Sequence, residues 1–211
     1  MNRRENDCWG TDFLTFGRDV WVMFKPIVIV ALATAALAAP ASAQTAPYAV
    51  PPGTATGELA MRLLAVQNRE RLLVGHAPLV WDPALAASAA TYGPTLARLH
   101  HLVHSPRETR PGQRENLAMA YHGTLSPEQL VGMWSAEKRY LRPGIFPAVS
   151  SSGNWEDVAH YTQMVWPTTT HVGCALYQAD WDYLICRYSP PGNIDGKPVF
   201  AVGGAPALAA R

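Results

Sequence analysis

The order of the secondary-structure patterns along the chain constrains its fold most, because helical patterns come first and strand patterns come last. Helical periodicity recurs between residues 58 and 140 of the 211-residue chain. Three later runs, residues 161–166, 172–177 and 183–188, are dense in aromatic and β-branched residues and predict strands. Helices followed by strands predict an α+β layer fold.

Three helices are predicted, and capping residues, glycine and proline set their ends. The first covers residues 58–74 and ends at Gly75, where a glycine readily adopts positive φ. The second begins at Asp82-Pro83 and breaks at Gly93-Pro94, because proline removes a backbone hydrogen bond. The third begins at the capping box of residues 126–129 and continues through Tyr140.

A short apolar run near the N-terminus predicts export. Residues 27–39 follow Lys25 and precede Ala41-Ser42-Ala43, the small-residue pattern that signal peptidase cleaves. The run is shorter than a membrane span of about 20 residues, so a retained anchor is the lesser interpretation. Because residues 1–22 are longer and more acidic than an ordinary signal-peptide start, Met23 is an alternative initiation site.

These segments predict the domain organisation of the chain. Residues 1–43 form the signal-peptide region, residues 44–57 a flexible linker, residues 58–200 the folded domain and residues 201–211 a flexible tail. The expected destination is extracellular or periplasmic. Seventeen basic residues against 16 acidic ones give a net charge of +1, which supplies no field for nucleic acid or an anionic membrane.

Cleavage after Ala43 changes the cysteine count. It removes Cys8 and leaves Cys174 and Cys186 in a compartment that permits a disulfide. If the two cysteines face each other across the last predicted hairpin, the residue numbers of each paired couple add up to 360. Residues 179–181 then form a three-residue loop. We therefore expect one disulfide in the exported chain.

Several ionisable side chains could carry chemistry, and residue spacing leaves their roles open. Glu137 shares a helix face with Trp134 and Tyr140, which the third helix must bury; a hydrogen bond at the core rim is the more frequent explanation. His160 opens a strand-like run, where an ordinary histidine is again more frequent. A metal pair is sterically feasible among three clustered histidines, His100, His101 and His104. The chain has no H-E-x-x-H, phosphate loop or G-x-S-x-G elbow.

Longer motifs carry a family resemblance. The chain resembles the CAP superfamily, which comprises cysteine-rich secretory proteins, antigen 5 and plant pathogenesis-related class one proteins. The resemblance spans residues 59–193 and rests on these segments in order: Asn68 and Arg71, residues 79–82, His104-Ser105, residues 115–118, Trp134 with Glu137, residues 159–166, residues 172–175 and residues 186–193.

The resemblance implies a fold and a site. The implied fold is a three-layer α-β-α sandwich with a small antiparallel sheet. The implied site is a solvent-facing cleft in which four residues converge, namely His104, Glu115, Glu137 and His160. Three positions depart from the family pattern: Gln67 replaces a frequent histidine, and Arg114 and Ala159 replace glycines, which puts the local turns in question.

The resemblance also implies a function. Two imidazoles and two carboxylates suit a divalent metal, zinc above all. We expect a secreted, non-enzymatic module that binds a small apolar ligand, a sterol or fatty acid, or an extracellular protein partner. The alternatives are a metal-assisted hydrolase acting on peptide or cell-wall material, and a structural exported domain with a vestigial cleft.

Overall fold

The computed structural model describes residues 55–200. The predicted signal-peptide region, the linker up to residue 54 and the tail from residue 201 lie outside the described residues. Five α-helices and four strands are described: α1 Ala55–Leu73, β1 Val80–Trp81, α2 Pro83–Ala90, α3 Gly93–Leu99, β2 Arg114–Tyr121, α4 Pro127–Ala136, α5 Ala159–Met164, β3 His171–Gln178 and β4 Trp181–Ser189. Three short 3-10 helices accompany them: Arg107–Thr109, Glu137–Tyr140 and Trp155–Val158.

The four strands form one sheet in the order β1-β3-β4-β2. β4 pairs antiparallel with both β3 and β2, while the two residues of β1 pair parallel with β3. Cys174 lies opposite Cys186 and His171 opposite Ser189, so the predicted hairpin register is confirmed. A disulfide joins Cys174 to Cys186.

Helices cover both faces of the sheet, because side chains on a strand alternate between faces. Leu117, Tyr183 and Ile185 pack with Ala89 of α2 and Leu96 of α3 in one buried cluster. The alternate sheet residues face a larger cluster built with α1, α4 and α5: Ala118, Leu184, Cys186, Leu63, Leu64, Trp134, Tyr161 and Met164. The expected α-β-α sandwich is confirmed, with a sheet that is antiparallel apart from β1.

The predicted helix ends follow local chemistry. The second predicted helix breaks as expected, since α2 ends at Ala90 and α3 restarts at Gly93. The capping box of Ser126 is formed: its side chain accepts from the N–H of Gln129, whose side chain accepts from the Ser126 N–H. The third predicted helix continues past α4 as the 3-10 helix Glu137–Tyr140.

The strand predicted at residues 161–166 is wrong, because residues 161–164 belong to helix α5, which ends at Met164. Tyr161, Thr162, Gln163 and Met164 are all buried, so their composition reflects burial on every side rather than an extended backbone. The sequence also missed β2. Five of its eight residues are buried, so polar and apolar residues do not alternate along the strand and no pattern marks it in the sequence.

Helix length and hydropathy bear on membrane contact. Within residues 55–200, none of the helices is both long and apolar enough to cross a membrane.

Candidate functional site

The four candidate residues form two His–Glu pairs. His104 follows α3 and pairs with Glu115, the second residue of β2. Glu137 begins the 3-10 helix after α4 and pairs with His160, the second residue of α5. The sequence predicted that Glu137 lies on the buried face of a helix. In the structure its side chain is largely buried, with 17% exposed.

Glu115 is a buried carboxylate held by several donors. Its Oε1 lies 3.0 Å from Nδ1 of His104 and accepts from the backbone N–H of Ser105 at 2.9 Å. Its Oε2 accepts from the Ser105 hydroxyl at 2.8 Å and lies 3.3 Å from Nη2 of Arg187. Arg110 Nε is 3.9 Å from Oε1. Two guanidinium groups therefore compensate one carboxylate whose side chain is wholly buried.

Opposing influences set the charge state of Glu115. Burial is the largest single influence and raises its pKa, but the hydrogen bonds and charge of His104 and the hydrogen bonds of Ser105 together outweigh burial. The pKa of the Glu115 carboxyl is therefore below its usual value, and the group is ionised at neutral pH. Because an ionised carboxylate only accepts hydrogen bonds, Nδ1 of His104 carries the proton and Nε2 is the basic nitrogen of the neutral ring.

The second pair lies on the α5 side. Nδ1 of His160 is 2.6 Å from Oε1 of Glu137, and Oε2 accepts from the backbone N–H of Tyr161 at 3.0 Å. The His160 ring stacks on Trp134 with centroids 5.8 Å apart and planes inclined by 17°. These contacts orient the imidazole from its edge and from its face.

The two pairs flank the edge strand β2. Glu115 turns to Ser105 and Arg187 on the side of α2, whereas the next residue, Asn116, donates to the carbonyl of His160 at 3.0 Å. Adjacent strand residues point to opposite faces, so β2 contacts the first pair through Glu115 and the backbone of the second through Asn116. Within residues 55–200, no three His, Cys, Asp or Glu side chains come close enough to hold a metal ion. The structure thus brings the four residues together as two His–Glu pairs.

The donor chemistry of each pair fits a metal only in part. Histidines that ligate zinc usually donate their other ring N–H to a carboxylate, and both Nδ1 atoms here face a glutamate. The pairs therefore suit ligation through the two Nε2 atoms. All four carboxylate oxygens already accept or face donors, so the glutamates fit as supports of the imidazoles.

Each departure from the family pattern is accommodated. Gln67 is buried, and its Oε1 accepts from the Tyr188 hydroxyl at 2.8 Å. Ala159 has φ −63° and ψ −41°, which alanine adopts readily. Arg114 begins β2 and donates to the carbonyls of Gly192 and Asn193 at 3.0 and 3.2 Å. Neither Arg114 nor Ala159 has a positive φ, so the two missing glycines impose no backbone strain.

The alternative metal pair among His100, His101 and His104 assumed that these residues lie on one helix, and they do not. α3 ends at Leu99, and His100 adopts a left-handed conformation with φ 55°. His100 and His104 therefore do not share a helix face. His101 is exposed and turns its Nδ1 to the carbonyl of Leu99 at 2.8 Å.

Sequence reasoning missed the residues that surround Glu115. Arg110 and Arg187 are buried and meet at Ser105, whose hydroxyl lies within hydrogen-bond distance of both. Their burial was hidden because arginines usually signal a solvated surface. The one sequence feature that pointed to this polar cluster is Ser105, which directly follows the candidate residue His104.

The sandwich and the two His–Glu pairs define the class of protein that the sequence motifs resembled. The family model described as CAP: Cysteine-rich secretory protein family matches residues 64–188, and the chain belongs to this family. Pathogenesis-related protein 1C of Nicotiana tabacum is 37% identical over 136 residues, covering 64% of this chain and 76% of the tobacco protein. A pathogenesis-related PR-1 type protein of Sambucus nigra is 34% identical over 133 residues, covering 62% and 75%.

Solved structures share the fold. The crystal structure of NaASP2 with Zn2+ has a TM-score of 0.59 at 23% identity and covers 72% of this chain and 90% of that one. Na-ASP-1 has a TM-score of 0.57 at 26% identity, covering 68% of this chain and 41% of that one. The protein is thus a CAP domain similar to PR-1 proteins, in a family named for secretory proteins.

Proposed function

We propose that this chain is an exported, non-enzymatic CAP binding module in which His104 and His160 hold a divalent metal ion, zinc first, through Nε2. The observation that carries the proposal is the pairing of each Nδ1 with a glutamate, at 3.0 and 2.6 Å. This pairing fixes the tautomer of a ligating histidine. The zinc in the NaASP2 structure supports zinc as the first ion to test.

Glu115 and Glu137 orient the imidazoles in this proposal. Each glutamate uses one oxygen for its histidine and the other for a backbone or hydroxyl donor or a guanidinium. A bound metal would supply positive charge for a polar group of a ligand. The ligand itself is a small apolar molecule, a sterol or fatty acid, or an extracellular protein partner.

Binding is favoured over hydrolysis by the state of the reactive groups. Cys174 and Cys186 are bonded to each other and supply no thiol nucleophile. The glutamates are occupied as hydrogen-bond acceptors, which suits a support better than a general base. A metal-assisted hydrolase acting on peptide or cell-wall material is the competing outcome of the tests below.

Zinc titration by calorimetry tests the metal site. We expect His104→Ala/His160→Ala to abolish binding, and His100→Ala/His101→Ala, the control on the neighbouring segment, to retain it. Affinity should fall below about pH 6, because a protonated imidazole cannot ligate. Equal affinity in the wild type and the His104→Ala/His160→Ala variant contradicts the site.

Ligand identification tests the binding module. Organic extracts of the exported protein, analysed by mass spectrometry, should contain a sterol or fatty acid absent from a mock purification. Peptide and cell-wall turnover assays should show no zinc-dependent activity. Zinc-dependent turnover that is lost in the double histidine variant would favour the hydrolase instead.

Export is part of the proposal. The mature chain should begin at Gln44, after Ala41-Ser42-Ala43. N-terminal sequencing of the secreted protein decides this, and a mature start before residue 27 would mean that the apolar run is retained.

A further inference from the structure

Two consecutive residues anchor the 3-10 helix Glu137–Tyr140 to different helices. Glu137 contacts α5 through the His160 ring and the Tyr161 N–H. Lys138 turns to α1, where its Nζ donates to both carboxylate oxygens of Glu70 at 3.2 and 3.0 Å. α1 and α5 therefore hold the same short turn from two sides.

The α1 side of this anchor is buried. Glu70 is 1% exposed, and a buried carboxylate is costly unless a cation or donors compensate it. The Lys138 ammonium makes hydrogen bonds with it, whereas Arg69 approaches only to 3.7 Å and is largely exposed. Lys138 is thus the close cationic partner of Glu70, and their pairing restricts where the turn can lie.

Tyr161 links Glu70 to the candidate site. Its backbone N–H binds Glu137, and its buried hydroxyl has no hydrogen-bond partner among the described residues. Burial first, and the negative charge of Glu70 second, raise the pKa of Tyr161. Tyr161 is therefore bonded to Glu137 through its backbone and lies within the electrostatic influence of Glu70.

We propose that Glu70 and Lys138 are positioning residues for His160. Their ion pair fixes the turn that aims Glu137, and Glu137 in turn keeps the proton of the neutral His160 ring on Nδ1, leaving Nε2 basic. The role of this tautomer in metal binding rests on the proposed function. The prediction that His160 adopts this tautomer does not depend on it.

The test uses the full exported chain with 15N-labelled histidine rings. Proton–nitrogen spectra recorded well above the ordinary histidine pKa of about 6.5 report which ring nitrogen carries the proton. The His160 signals are assigned by their absence in His160→Ala. The deciding variant is Glu70→Gln/Lys138→Met, which removes both charges and so leaves neither one buried alone.

We expect this double variant to fold and to lose the Nδ1–H signature of His160, and Lys138→Arg to retain it. Arg62→Met is the matched control, since Arg62 joins α1 to Glu128 of α4 through an ion pair away from Glu137; it should leave the His160 spectrum unchanged. A folded double variant with the wild-type tautomer overturns the proposal. Zinc titration of the same samples is a separate readout, so a wild type that binds no zinc contradicts the proposed function alone.

Discussion

The guanidinium of Arg71 ties α1 to two later segments of the chain. Nε donates to the carbonyl of Ala77 at 2.7 Å, and the two terminal nitrogens donate to three carbonyls at 2.8–2.9 Å, those of Met164, Trp166 and Thr169. Burial lowers the pKa of Arg71 to about 10, which still leaves it charged at neutral pH. One side chain thus satisfies four backbone acceptors, one shortly after α1 and three at and beyond the end of α5.

We expect Arg71→Lys to destabilise the protein by about 3 kcal/mol, because a lysine ammonium cannot match a planar fork of donors and each buried carbonyl left unpaired costs about 1–3 kcal/mol. Urea unfolding measures the change. Arg98→Lys, at an exposed position whose guanidinium contacts Thr95, should have little effect. Equal stabilities of the two variants would show that these carbonyls do not depend on the arginine.

His76 should make stability depend on pH. It is buried, with Nδ1 2.6 Å from the carbonyl of Val165, and burial, the largest influence, lowers its pKa below the ordinary value of 6.5. As pH falls below about 6.5, the unfolded chain takes up a proton that the folded chain resists. The free energy of unfolding therefore falls towards acid pH, by at most about 1.4 kcal/mol per pH unit from this residue.

The measurement is urea unfolding of the wild type and His76→Asn between about pH 7.5 and pH 5. Asparagine keeps a donor but does not titrate, so the stability difference between the two proteins should shrink as the pH falls. A difference that stays constant over this range would contradict the assignment to His76.

At the scale of elements, the hairpin and α2 meet at a glycine. A Cβ on Gly173 of β3 would overlap the backbone nitrogen of Ala86 and the backbone oxygen of Asp82. α2 therefore lies directly on β3, and no flexible side chain at the contact can move aside. This close approach positions α2, and the hydroxyl of Ser88 in that helix accepts a hydrogen bond from Arg187.

We expect Gly173→Ala to destabilise the protein by about 2 kcal/mol or more, because α2 must shift to admit a methyl group. Gly132→Ala is the control: its Cβ would meet nothing within 4 Å, and alanine is the better helix former by about 1 kcal/mol, so α4 should become more stable. Thermal unfolding compares them. A neutral Gly173→Ala would mean that α2 packs less closely than these distances indicate.

At the scale of the whole molecule, one disulfide connects neighbouring strands in the middle of the sheet. Cys174 and Cys186 are 12 residues apart and lie on the α1 side, where Nε2 of Gln67 is 3.8 Å from Sγ of Cys174. Both cysteines are nearly inaccessible, at 4% and 0% exposure. The bond thus lies inside the larger core, between β3 and β4.

We expect Cys174→Ala/Cys186→Ala to lower the free energy of unfolding by about 2–3 kcal/mol, since closing so short a loop restricts the unfolded chain by about this amount. Thiol labelling of the secreted wild type, denatured without reductant, should detect no free thiol. The reduced wild type, with two reactive thiols, is the positive control. Two free thiols before reduction would contradict the disulfide in the exported chain.

Part of the fold could be predicted because its causes are local. The capping box at Ser126, the break at Gly93 and the register of Cys174 against Cys186 each depend on residues a few positions apart or across one tight hairpin. The family motifs then supplied the sandwich, which the structure and the comparisons confirm. The same motifs predicted each of the four candidate site residues.

The sequence by itself determined the break between α2 and α3, the start of α4 and the pairing of the two hairpin strands, since capping, proline and pleat periodicity act within a few residues. Only the tertiary structure decided that residues 159–164 form a helix, that residues 114–121 form the edge strand and that the site residues meet in twos. The physical reason is burial on all sides. It removes the polar-apolar alternation that distinguishes helix from strand, and it lets Glu115 collect donors from Ser105 and Arg187, up to 72 residues away along the chain.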